Sequence, residues 1–146
     1  MRNMPTAIHK LLLAAGLALC TAASASVDTS PKPGGPFKLK PGTYVANGLS
    51  CEAPPNGAIR RYDGEAIVAV HSAACKTRIR ARHGNRYAVD QRCVDTRGEP
   101  GRRRLQKQTI QVRDALSFTQ SIGGDSVSYR YCPAYQLPPK LRQQPR

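Results

Sequence analysis

Cys75 and Cys93 bracket a segment in which basic residues alternate with small and apolar ones about a central His83-Gly84-Asn85. Successive side chains of a strand point to opposite faces, so this alternation describes a β-hairpin. Gly84 and Asn85 both tolerate the positive φ that closes a three-residue hairpin loop. With that loop, Ala81 faces Tyr87, Ile79 faces Val89, Thr77 faces Gln91 and Cys75 faces Cys93. These residues share one side, which is mostly apolar and carries both cysteines. Opposed residues at a non-hydrogen-bonded site lie about 4.5 Å apart at Cα, near the short end of the disulfide range. A two-residue loop would send the cysteines to opposite faces. The expectation is a hairpin with a three-residue loop, stapled across its own strands.

The opposite face reads Lys76, Arg78, Arg80, Arg82, Arg86, Ala88, Asp90 and Arg92. Lys76 opposite Arg92, and Arg82 opposite Arg86, set like charges across the pair, which destabilises a sheet. Only Arg78 opposite Asp90 compensates. One reading is a solvated face that keeps an Arg-rich chain soluble. The other is an anion-binding stripe.

The N-terminal residues have the pattern of an export signal. Arg2 and Lys10 are basic, residues 11–19 are an apolar run, and Ala23-Ser24-Ala25 is a small-residue cleavage site. The apolar run is too short for a membrane span, so no transmembrane segment is expected after cleavage. Cleavage after Ala25 or Ser26 would remove Cys20, and Leu19 before that cysteine disfavours lipidation. Four cysteines then remain, Cys51, Cys75, Cys93 and Cys132, an even number in an exported chain. Such a set predicts two disulfides formed in an oxidising compartment, periplasmic or extracellular. Three pairings are possible. If Cys75 pairs with Cys93, Cys51 pairs with Cys132. Each bridge is worth roughly 3 to 5 kcal/mol in the loop-entropy account.

Charge limits the partners. Two of the 23 Lys and Arg lie in the signal, leaving 21 against nine Asp and Glu, a net charge of about +12. Such a field attracts polyanions. In a cytoplasmic chain nucleic acid would come first; an export signal removes that expectation. The candidates become an acidic protein, anionic envelope or wall polymers, and lipid head groups.

Along the chain, residues 1–25 are expected as signal and residues 26–41, rich in Pro and Gly, as a linker. A single β domain is expected over 42–132, and a Pro-rich extended tail over 133–146. A first strand follows Pro41-Gly42, and Cys51 ends it. Asp63-Gly64 between two short β-prone runs signals a tight type I′ hairpin. Residues 94–104 read as a polar loop ending in Arg102, Arg103 and Arg104, which in a loop could clamp phosphates or carboxylates together. The last third reads as a meander in which Val112 faces Phe118 and Val127, Tyr129 and Tyr131 share a face. Seven or eight short strands without a helical period give an all-β fold: a small antiparallel meander forming a compact barrel or sandwich, stapled by two disulfides. A Cys51–Cys132 bridge would tie the first strand region to the last, as a closed barrel requires.

No catalytic constellation emerges. His71 lies four residues before Cys75, yet a disulfide at Cys75 removes the nucleophile. His83 sits at a hairpin tip, and a turn role accounts for Asp63 beside Glu65. No two cysteines have zinc-ribbon spacing, and no glycine loop opens a helix, so no metal or cofactor is expected. The expected function is a non-catalytic binding module of inhibitor or immunity type, docking an acidic partner through Lys76, Arg78, Arg80, Arg82, Arg86, Arg92, Arg102, Arg103 and Arg104. Small exported β-domains that inhibit lysozymes offer an architectural analogy only, since a basic inhibitor would be repelled by a basic lysozyme. An envelope-associated domain, adsorbed through the same charges, is the alternative.

Overall fold

The computed structural model describes residues 31–98 and 101–142. The expected signal and its cleavage site lie outside the described residues, as does the end of the tail. Eight strands form: β1 (Gly42–Ala46), β2 (Ile59–Tyr62), β3 (Ile67–Ala69), β4 (Ser72–His83), β5 (Arg86–Asp95), β6 (Arg103–Asp114), β7 (Ser117–Ile122) and β8 (Asp125–Cys132). All pairings are antiparallel, in the order β3-β2-β1-β8-β7-β6-β5-β4. The sheet curls into a nearly closed barrel. Its first and last strands are neighbours, with Tyr44 opposite Tyr131. The seam lies instead between β3 and β4, which follow each other around Val70-His71 without pairing.

Alternation along the strands fills the interior. Tyr44, Tyr62, Ile67, Tyr87, Val89, Ile110, Phe118 and Tyr129 form one buried cluster. Phe118 stacks on Tyr129 at 5.2 Å, and Tyr44 meets Phe118 edge-on at the same separation. These aromatics occupy one end of the barrel, and Phe37 and Leu39 close it from below, at 1% and 0% exposure. The segment expected as a linker up to residue 41 therefore contributes to the core. Its Pro and Gly do exclude a strand, but they build a turn that is closed by a Gly34–Leu39 bridge and carries two apolar side chains inward. The Tyr62 hydroxyl donates to the carbonyls of Gly34 (2.9 Å) and Gly64 (3.0 Å). The Tyr44 hydroxyl donates to those of Lys40 and Ala115. Gly35, at φ +68°, passes so close to the Gly64 carbonyl and the Tyr62 hydroxyl that a Cβ would overlap both.

Both disulfides have the expected pairing. Cys51–Cys132 spans 5.8 Å between Cα atoms and Cys75–Cys93 spans 4.1 Å. Cys51 itself lies in the β1–β2 loop. Cys51, Cys132 and Val45 form a second small core on the outer side of β1, covered by Leu137 from the C-terminal segment. That segment is not extended: it makes a 3-10 turn at Ala134–Gln136 and a single helical turn, α1 (Pro139–Arg142). Leu137 packs back, whereas Tyr135 stays 46% exposed.

Turn chemistry differs from expectation in two hairpins. The β2–β3 connection has four residues, not two, because the Asp63 carboxylate accepts the amides of Glu65 and Ala66 at 2.8 Å and fixes a wider turn. The β4–β5 loop has two residues, Gly84-Asn85, not three. His83 faces Arg86, Arg82 faces Tyr87 and Ala81 faces Ala88. A β-bulge between Ile79 and Ala81 then adds one residue to β4. Below the bulge, Ile79–Val89, Thr77–Gln91 and Lys76–Arg92 are in the expected register. Loop and bulge together restore the parity that lets Cys75 meet Cys93.

Two outcomes follow for stability. Replacing Cys51 and Cys132 by Ala removes a link across 81 residues, against 18 for Cys75–Cys93. The expected losses are about 4.5 and about 3 kcal/mol, read from urea unfolding midpoints. Burial pushes the Tyr62 phenol from 10.0 up to about 12. Between those values the unfolded chain releases the proton first, so stability is full below pH 10 and falls as pH rises towards 12. Tyr62→Phe should flatten that alkaline decline.

Candidate functional site

Strand pairing sorts the basic residues onto surfaces. Tyr87, Val89 and Gln91 point inward on β5, so Arg86, Ala88, Asp90 and Arg92 point outward. Pairing carries this outer face across three strands: Lys76–Arg92–Leu105, Arg78–Asp90–Lys107, and Ala73–Val94–Arg103. Lys76, Arg78, Arg80, Arg86, Arg92, Arg103 and Lys107 are all exposed. At these outward positions Asp90 is the acid, and its half-buried carboxylate lies 3.8 Å from the exposed Arg80 guanidinium, a long contact worth little at the surface. Leu105, 48% exposed, lies among Arg92, Arg103 and Lys107. A shallow groove of about 470 Å³ on this side is lined by Arg80, Asp90, Lys107 and Thr109 and extends to Ser121 and Gly123.

Not every expected residue joins this face. Above the bulge Arg82 sits opposite Tyr87, and its guanidinium lies over that ring at 5.1 Å. It therefore faces away from Arg86, and the like-charge pair expected there does not form. Nor do Arg103 and Arg104 lie in the loop expected to present them with Arg102. Strand β6 begins at Arg103, so alternation separates them. Arg103 faces outward and reaches the Ala74 carbonyl at 3.4 Å. Arg104, opposite Cys93, points to the barrel end and contacts Asp95 at 3.8 Å. Lys107 belongs to the face although its stretch reads as an ordinary polar strand; only the β5–β6 register places it there.

The interior holds a polar row that crosses the barrel. Gln91, Gln108 and Gln120, on β5, β6 and β7, are 3%, 6% and 4% exposed. Arg60 on β2 donates through Nε to the Gln120 carbonyl oxygen at 2.7 Å. The Gln120 amide donates to Gln108, and Gln108 donates to Gln91 at 3.2 Å. The Gln91 amide donates in turn to the Ile67 carbonyl on β3 at 2.9 Å, across the seam. Tyr129 lies under the Arg60 guanidinium at 5.0 Å. The sequence signal for this row is the inward parity of Gln106 and Gln108, which continues from Ile110 and Val112; polarity conceals it.

Cys51, Cys75, Cys93 and Cys132 are all consumed in disulfides, so Cys75 is no nucleophile for His71 and none of these four is a free thiolate. Among the described residues no three His, Cys, Asp or Glu side chains gather as a metal site, and no helix is long and apolar enough to cross a membrane. The chain matches no protein-family profile, no curated protein and no solved structure.

The glutamine row is testable by itself. Gln108→Leu deprives the Gln120 amide of its acceptor and the Gln91 side-chain oxygen of its Gln108 donor in the interior, and is expected to cost about 3 kcal/mol. Gln111→Leu, on the exposed side of the same strand, should change stability by about 0.5 kcal/mol or less. Paired urea titrations read the contrast.

Proposed function

We propose that this protein is an exported, non-catalytic binding module of inhibitor or immunity type, which docks an acidic macromolecule on the outer face of β4, β5 and β6. The observation that carries this reading is the cluster of Lys76, Arg78, Arg92, Arg103 and Lys107 on one three-stranded surface, where Asp90 is the only acid among the described residues. Lys76 opposite Arg92 costs the sheet stability, and an anionic partner would offset that repulsion. Leu105 at the centre supplies an apolar contact that a docked surface can desolvate, with the cations as its rim. The paired strands hold these side chains in place without ordering a loop. Two disulfides suit an oxidising compartment, periplasmic or extracellular, where acidic proteins and anionic polymers are both at hand.

The test is a pull-down from envelope extract with the intact domain and with the Lys76→Ser, Arg78→Ser, Arg92→Ser triple variant. The expected result is an acidic protein retained at about 0.15 M salt by the wild type and lost by the variant. Capture that fades steeply with salt and consists of lipid or wall polymer would replace docking by adsorption to the envelope. Equal capture by both proteins would remove this face from the function.

A further inference from the structure

The end of the barrel opposite Phe37 is open. It forms a recess of about 480 Å³ lined by Arg60, His71, Asp95, Arg97, Arg104 and Gln106. Arg60 rises from β2 into this recess, half-buried, and its partners are all neutral. Nε donates to Gln120, and Nη1 donates to the carbonyls of Gly57 (3.1 Å) and Ile59 (2.8 Å). Among the described residues no carboxylate pairs with it. Burial lowers the proton affinity of its guanidinium, so the charge is held at a cost. Among the described residues the recess has one acid, Asp95, which is already engaged: it accepts the Arg97 amide at 2.9 Å and faces Arg104. Three guanidinium groups therefore surround one occupied carboxylate.

We propose that this recess is a binding site for a small oxyanion, a carboxylate or phosphate group, held by Arg60 at its floor and by Arg97 and Arg104 at its rim. The chemistry follows from the donors. Guanidinium groups match the geometry of carboxylate and phosphate oxygens, and charge-assisted bonds of this kind are about twice as strong as neutral ones. Ala69 and Val70 line the recess beside Arg60, and a concave site lined by one sign of charge concentrates the positive field at its opening. An entering anion supplies the countercharge that Arg60 lacks, and the polar row fixes where Arg60 stands. This site is separate from the outer basic face: Arg104 and Gln106 alternate with Arg103, Leu105 and Lys107 along β6 and point the other way.

The experiment is an amide chemical-shift titration of the intact, oxidised protein with citrate and, separately, with inorganic phosphate, each against chloride at constant ionic strength. Saturable shifts centred on His71, Arg97, Arg104 and Gln106 are expected, and the two arms decide between carboxylate and phosphate. The Arg97→Ser, Arg104→Ser variant should weaken binding about tenfold or more, and Arg60→Gln likewise. The rim variant carries the test if Arg60→Gln does not fold. The Lys76, Arg78, Arg92 triple variant should bind as the wild type does, whatever its effect on partner capture. Absence of saturable shifts in both arms, or shifts centred on Lys76, Arg78 and Arg92, would overturn the proposal.

Discussion

Four side chains on four strands share one line of hydrogen bonds through the barrel: Arg60, Gln120, Gln108 and Gln91. Each amide is buried, and each would carry a desolvation penalty if its neighbour moved. The line ends on the Ile67 carbonyl, which belongs to a different arm of the sheet. A short strand at an open seam, β3, which has a backbone ladder on its β2 side only, is thereby also tied to the centre of the barrel by a side chain. Registry between β5, β6 and β7 is set by hydrophobic parity, but the glutamines make a slip by even two residues costly, because donors and acceptors would no longer meet. The aromatic end supplies burial, and the polar row specifies which arrangement of strands is buried.

The expected hairpin shows how sequence reasoning can reach a correct contact by a wrong route. The bond between Cys75 and Cys93 requires their side chains on one face, and a three-residue loop is the shortest way to satisfy that on paper. The chain uses a two-residue turn, in which Gly84 takes φ +59°, and spends its odd residue at Ile79-Arg80 instead. Alternation cannot distinguish these, since both give the same parity at the cysteines. They differ at the tip, which is why Arg82 changed sides. The eight strands, the Val112–Phe118 pair and the burial of Tyr129 were legible because alternation and turn residues agree there. Phe37 and Leu39 were not legible as core. Their segment has the composition of a linker, and only tertiary packing against Tyr62 and Tyr87 gives it a place.

The candidate surfaces were legible to different degrees for the same reason. Lys76, Arg78 and Arg92 stand out in a hairpin whose faces can be written down from its sequence. Lys107 and Leu105 join them only through pairing with β5, and pairing partners are not visible in a strand read by itself. Arg60 is the extreme case. In the sequence it is one of two adjacent arginines in a short β-prone run, with nothing to separate it from Arg61. The barrel turns one inward and leaves the other on the outer side, so neighbours in sequence have unlike environments.

Strand β4 ends the sheet. It pairs on one side with β5, and no strand pairs with its other side among the described residues. Long unpaired edges invite the addition of a second molecule, strand on strand. Here the edge is interrupted twice: at Ala74, whose φ of +47° breaks the extended run, and at the Ile79-Arg80 bulge. Between and beyond those interruptions stand Lys76, Arg78, Arg80 and Arg82. A copy of the same edge would meet a kinked backbone and its own charges. The residue inserted to align a disulfide thus also interrupts the edge on which a second strand would have to pair, and a hairpin built for stapling breaks up the barrel's open side.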